Sequence, residues 1–253
     1  MGMMSRTILS ARALSKTFRG FAAVDGVDLD IREGSVHALI GPNGAGKTTV
    51  FNLLTKFLEP SAGRLVDDDT DITKSSPVQV ARMGLVRSFQ ISSVFPTLTV
   101  LQNVRVALQP RAKLAHQFWL PEQDLGVLDA RGLALLERVG LTDFAARPAG
   151  ELSYGRKRAL KLATTLALEP KVLLLDEPMA GMAHEDIAAV ARLVSSVSAG
   201  RTVLMVEHNL NVVADLCDRI TVLQRGKVIA EGTYGEVSGN TEVRRAYIGE
   251  EDE

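Results

Sequence analysis

The sequence predicts an α/β fold with a largely parallel sheet, and three observations predict it. Glycine and proline divide the 253 residues into alternating short apolar runs and amphipathic stretches. The run over 36–40 enters a glycine-rich turn that opens directly into a helical pattern over 47–58. Later, the run at 172–175 is fully apolar, as a strand buried on both faces is, and 203–206 and 220–223 read as further strands.

Taken in chain order, residues 27–31 (VDLDI) alternate at period two, as a strand with one wet face does, so an antiparallel sheet is expected ahead of the parallel one. Ser76 followed by Pro77 reads as an N-cap with proline at the first helical position, and the helix is expected to run to about Gly84. A strand over 85–89 follows. From 91 to about 150 strand signals disappear, while TVLQNVRVAL and DARGLALLERVG carry helical spacing, which predicts a mostly helical insert. Ser153 is placed to cap a helix over 154–168, after which the parallel sheet resumes. The acidic end, GEEDE, reads as a solvated tail.

Composition narrows the function classes. A chain of this length buries roughly 70–75% of its unfolded surface, and 46% hydrophobic residues exclude disorder as the dominant state. Lys and Arg number 29 against 30 Asp and Glu, a net charge of −1, so no whole-molecule positive field exists to hold nucleic acid. The single cysteine, Cys217, cannot form an internal disulfide or a multi-thiolate zinc site; it fits a reducing cytoplasm and reads as a small buried hydrophobe. The N-terminal MGMMSRTILSAR is too polar for a secretory leader and lacks a myristoylation pattern, and no run of about 18 uncharged apolar residues is present, so the chain is expected not to cross a membrane.

The strongest chemical signal is Gly41-Pro42-Asn43-Gly44-Ala45-Gly46-Lys47-Thr48-Thr49, which satisfies G-x-x-x-x-G-K-[ST] between a strand and a helix. Glycines let consecutive N–H groups curl around phosphate oxygens, and the helix N-terminus adds partial positive charge. Lys47 supplies a full charge for the β- and γ-phosphates of ATP, and the Thr48 hydroxyl a ligand for Mg²⁺. The second signal is LLLDE, a buried strand that delivers Asp176 and Glu177 at its C-terminal edge, where open α/β sheets bind ligands. Asp176 suits Mg²⁺ coordination, and Glu177, kept off the metal, suits accepting a proton from attacking water.

GPNGAGKTT, then Gln90 in RSFQ, then LSYG at 152–155, then LLLDEP, then His208 in VEHNL occur in the order and spacing of an ABC ATPase domain, and the chain resembles that family over essentially its whole length. The resemblance implies one ABC ATPase domain over 1–253. Its P-loop NTPase core spans 1–90 and 155–253, with an N-terminal antiparallel β subdomain and a helical subdomain over 91–154. It places Phe18 against adenine, Gln90 near Mg²⁺ and the attacking water, and His208 against the γ-phosphate. Ser153 and Gly155 fall in the signature motif, whose helix N-terminus faces the ATP of a second ATPase subunit, identical or paralogous. The sequence departs from the pattern at Arg156, where glutamine is usual, and at Ala183, where Asp or Asn is usual.

The stretches RSFQISSVFPTLTVLQNVRVA, ELSYG and AGMAHED are similar to those of ATPase subunits of branched-chain amino acid importers. That implies a peripheral protein on the cytoplasmic face of the inner membrane, beneath integral permease subunits gripped by the helical insert at 91–104, with an extracytoplasmic solute-binding protein acting indirectly. Amide or urea importers and a lipopolysaccharide-exporting ATPase share much of the pattern. A soluble assembly or repair ABC ATPase and a non-catalytic ATP sensor, motivated by Ala183 and Arg156, stand as alternatives. Asp67, Asp69 and Asp71 sit at EF-hand-like intervals, but Ile72 and Val78 occupy the positions of the required glycine and glutamate, so DDDTD reads as a hairpin turn. Phe118 and Trp119, near Arg111, Lys113 and His116, read as core of the insert rather than a partner-facing patch. His37, His116 and His184 form no metal spacing.

Overall fold

A computed structural model describes residues 6–88, 94–109, 126, 128–180 and 184–248. Gln90, the Arg111–Trp119 stretch, Ala183 and the acidic end over 249–253 lie outside the described residues. The first part of the chain forms β1 (Thr7–Phe18), β2 (Phe21–Arg32), β3 (Val36–Ile40), α1 (Lys47–Leu54), β4 (Ala62–Asp67), β5 (Thr70–Asp71), α2 (Pro77–Met83) and β6 (Leu85–Ser88). Then come α3 (Val100–Leu108), α4 (Asp129–Arg138), α5 (Tyr154–Leu166), β7 (Val172–Asp176) and α6 (His184–Ser198). The chain continues through β8 (Thr202–Val206), α7 (Leu210–Leu216), β9 (Arg219–Gln224), β10 (Lys227–Gly232), α8 (Tyr234–Gly239) and α9 (Thr241–Ile248). These fall into two compact units, one of Met1–Arg87, Lys171–Met179 and Ser198–Glu253, the other of Ser88–Pro170 and Ala180–Val197.

The first unit holds two sheets, ordered β2-β1-β4-β5 and β10-β9-β3-β8-β7-β6. In the larger, β3 lies between β8 and β9 and pairs parallel with both, while β7 pairs parallel with β8. Every residue of β7 and β8 is buried, which explains their unbroken apolar runs. Strand β10 joins β9 antiparallel, through a tight turn at Arg225 and Gly226, both at positive φ. The smaller sheet is antiparallel where β1 meets β2 and β4 and where β4 meets β5. Its core side chains Leu9, Leu14, Leu29, Ile31 and Leu65 join Phe51, Leu53 and Leu54 of α1 in one apolar cluster.

Several boundaries differ from the sequence reading for identifiable reasons. Strand β2 begins at Phe21, not Val27, because bulges in its pairing with β1 break the period-two alternation. Helix α1 stops at Leu54, four residues short, where Lys56 takes φ 62 and Leu58 N–H closes onto the Asn52 carbonyl. Helix α5 ends at Leu166 because Glu169 turns left-handed ahead of Pro170. The DDDTD segment is the β4–β5 hairpin, with Asp68 and Asp69 at positive φ in its turn. Ser76 caps α2 and the helix ends at Gly84, as expected; the cap is a full capping box with Gln79, and Gly84 is left-handed.

In the second unit, α3 is capped by Thr99 in a box with Gln102 and packs on α4 and α5. Val100, Val104, Leu108, Leu136, Leu160 and Ala163 are buried there. Arg105 closes an ion pair on Asp129 at the start of α4. Among the described residues, no helix is long and apolar enough to cross a membrane.

Candidate active site

The loop 41–46 leaves the C-terminal end of β3 and is fixed by its backbone. Ala45 N–H donates to the Pro42 carbonyl (3.2 Å), and the Ala45 carbonyl accepts from Gly226 N–H (3.0 Å). Gly41 and Gly46 stand at φ 146 and 101, and a Cβ on either would lie 2.1 Å from the Leu223 carbonyl oxygen or 2.6 Å from that of Ala23. The first and last glycines of the motif are therefore demanded by neighbouring backbone as well as by conformation. Gly46 begins α1 without a side-chain cap, so the first N–H groups of that helix face outward beside the loop. Lys47 is buried and its Nζ donates to the carbonyls of Gly41 (2.6 Å) and Pro42 (2.8 Å), which folds the ammonium over the loop.

A cleft of ≈ 290 Å³ opens over this loop, lined by Asn43, Gly44, Ala45, Gly46, Lys47, Thr48 and Thr49, together with Glu177, His208, Phe21 and Ala23. Two sites 31 residues apart thus meet at one mouth: Glu177 Oε1 and His208 Nε2 are 2.7 Å apart. Glu177 sits at φ 46, a left-handed conformation that a non-glycine residue adopts only when the surroundings hold it there. Its N–H donates to the Val206 carbonyl (3.0 Å) at the end of β8.

Glu207, which the sequence reading passes over, braces the segments on either side of this pair. Its carboxylate is buried and accepts three backbone bonds, from Met179 (2.9 Å), His208 (2.8 Å) and Asn209 (3.1 Å). One anion thereby ties the loop after Glu177 to the turn that carries His208. Asp176 is buried at the end of β7 and its Oδ2 is ion-paired with Arg87 of β6. Neither Glu207 nor Arg87 had a sequence signal, since their partners are distant in the chain.

The remaining expected residues divide by location. Phe18, expected against adenine, does not line the cleft; its ring carries Lys16 Nζ at 5.3 Å. Its hairpin partner Phe21 lines the cleft instead and is 68% exposed. Ser153 and Gly155 belong to the second unit. Ser153 has the extended backbone of an N-cap but accepts no hydrogen bond from the helix, contrary to the expectation that its side chain caps α5. Arg156 lies with its guanidinium 4.1 Å from the centre of the Phe144 ring.

A parallel sheet with a phosphate loop at its C-terminal edge, facing a glutamate–histidine pair, defines a P-loop ATPase. Comparison with known proteins makes the class specific. The ABC transporter family model matches residues 24–180, and that of the branched-chain amino acid ATP-binding cassette transporter matches 227–253. The chain belongs to the ABC transporter family, as one of its ATP-binding proteins. It is 38% identical over 254 residues to the high-affinity branched-chain amino acid transport ATP-binding protein BraF of Pseudomonas aeruginosa, covering 98% of this chain and 100% of that one. It is 37% identical to LivG of Escherichia coli K12, the transport ATP-binding protein for the same solutes, with the same coverage. Among solved structures it resembles the ADP conformation of an ATP-binding cassette of an ABC transporter, with TM-score 0.85, 32% identity, and 97% and 100% coverage.

Proposed function

We propose that the chain hydrolyses ATP to drive import of branched-chain amino acids through separate permease subunits. The observation that carries the hydrolytic part is the Glu177–His208 pair at the mouth of the phosphate loop. The loop amides and Lys47 hold the β- and γ-phosphates, as the motif's spacing requires. Glu177 accepts the proton of the attacking water, and the imidazole of His208 orients that carboxylate and reaches toward the γ-phosphate. Glu207 keeps both on one frame. Phe21, exposed at the cleft wall, offers its ring to the adenine base.

Mg²⁺ fits the donors present. Thr48 lines the cleft; Asp176 is not among the residues that line it and engages Arg87 through Oδ2, which leaves Oδ1 to be reached through a metal-bound water, and hydroxyl and carboxylate are both hard oxygen donors. When bound, the ion neutralises charge on the β- and γ-oxygens. Gln90 is proposed to join it. A second ATPase subunit presents the Ser153–Gly155 helix end across the nucleotide, which makes a dimer the working unit. The solute assignment is supported by the names of the relatives and by the C-terminal family match, and with it a peripheral position on the cytoplasmic membrane face and an indirect role for an extracytoplasmic solute-binding protein. Glu177→Gln tests the hydrolytic role. ATP binding stays within about threefold of wild type, while phosphate release falls by 10²–10⁴. Turnover within tenfold of wild type contradicts it.

A further inference from the structure

Three contacts of Arg87 with described residues go unused by the proposed reaction. Its Nη2 pairs with Asp176, its Nη1 donates to Asn52 Oδ1 of α1 (2.6 Å), and its guanidinium lies 5.7 Å from the centre of the buried Phe51 ring. Both side chains of the ion pair are nearly closed to solvent, at 9% for Arg87 and 4% for Asp176. A buried pair of this kind is a costly way to stabilise a fold, and an apolar pair of similar size does as well or better. Its placement is what distinguishes it. The carboxylate it neutralises is the one argued above to serve the metal, and it takes only one of the two oxygens.

We propose that Arg87 is the resident counter-cation of Asp176: it neutralises the buried carboxylate when no nucleotide is present, so that the site does not hold a bare divalent ion and the metal enters and leaves with nucleotide. The inference rests on the Mg²⁺ reading above. A divalent ion beside Asp176 meets the fixed positive charge of Arg87 a few ångströms away in a poorly screened environment. The negative phosphates of a nucleotide offset that repulsion, whereas a bare ion has no such offset. Asn52 and Phe51 hold the guanidinium in place, so it does not simply swing aside.

The test is Mn²⁺ binding, read from the loss of the free-ion electron paramagnetic resonance signal, on the full chain without nucleotide and with ADP. Without nucleotide, Arg87→Met binds Mn²⁺ at least about tenfold more tightly than wild type, Arg87→Lys stays within threefold of wild type, and adding Asp176→Asn to Arg87→Met abolishes the gain. Should Arg87→Met fail to fold, Asp176→Asn in the wild-type background decides: it leaves bare Mn²⁺ binding unchanged if the carboxylate is already neutralised. A loss of bare-ion binding in that variant, no gain in Arg87→Met, or a gain that survives Asp176→Asn overturns the proposal. With ADP present, Asp176→Asn weakens Mn²⁺ binding. If it does not, the metal reading itself fails, whereas a normal ADP arm with no bare-ion effect overturns only the role of Arg87.

Discussion

Replacing Gly41 and Gly44 separately by alanine asks whether the loop's glycines answer to conformation or to their neighbours. A Cβ at Gly41 lies 2.1 Å from the Leu223 carbonyl oxygen and 3.1 Å from its carbon, at φ 146. Restoring an ordinary contact of about 3.4 Å moves the loop or β9 by about 1.3 Å, and forced overpacking of this kind costs about 1–3 kcal/mol. The strained backbone adds about 1–3 kcal/mol. At Gly44 the φ is 73 and a Cβ meets nothing within 4 Å, so only the left-handed penalty of about 1–2 kcal/mol applies. Urea denaturation without nucleotide, followed by circular dichroism, therefore places Gly41→Ala about 1–4 kcal/mol below Gly44→Ala. Gly46→Ala, whose Cβ would lie 2.6 Å from the Ala23 carbonyl, behaves like Gly41→Ala. Equal losses at 41 and 44 refute the reasoning, because the clash with Leu223 would then carry no cost.

The aromatic wall is tested by ATP titration: Phe21→Ala weakens binding by about 1–3 kcal/mol, 5- to 150-fold, while Phe18→Ala changes it less than threefold. Glu207→Gln replaces one acceptor oxygen by a donor facing backbone N–H groups, so steady-state phosphate release falls about 100-fold while ATP affinity stays within threefold. His37 is buried against Thr221 Oγ1 (2.8 Å), and burial, with Arg219 and Arg32 nearby, pushes its pKa down from 6.5 to about 3. Because the folded value lies below the unfolded one, the unfolded chain takes up the proton first and stability is lost as pH falls below 6.5. Between pH 7 and 5 this amounts to about 2 kcal/mol, so denaturation of wild type and His37→Gln at both pH values differs in slope by that amount. Parallel slopes contradict it.

What the sequence made legible was local. The phosphate loop is a contiguous string whose glycine spacing carries its geometry, and the Ser76 cap with Pro77 behind it lies within one turn. The fully buried β7 and β8 showed as apolar runs because both faces of a central parallel strand are covered. Residues whose roles depend on distant partners left no trace: Arg87 meets Asp176 across 89 positions, and Glu207 meets Met179 across 28. Phe18 and Phe21 flank one two-residue turn, and which ring faces the cleft is decided by the hairpin's twist and bulges rather than by composition. Ser153 had the right residue type and backbone for a cap, yet its side chain does not bond to the helix, since type and spacing do not fix a rotamer.

If the 41–48 loop with the Lys47 ammonium encloses the phosphates of ATP, removing that ammonium weakens nucleotide binding. Equilibrium titration of wild type and Lys47→Ala with ATP tests it most directly. Loss of a charge at the phosphates weakens binding by at least about 2 kcal/mol, roughly 30-fold, with the fold intact by circular dichroism. Affinity within threefold of wild type would place the nucleotide elsewhere.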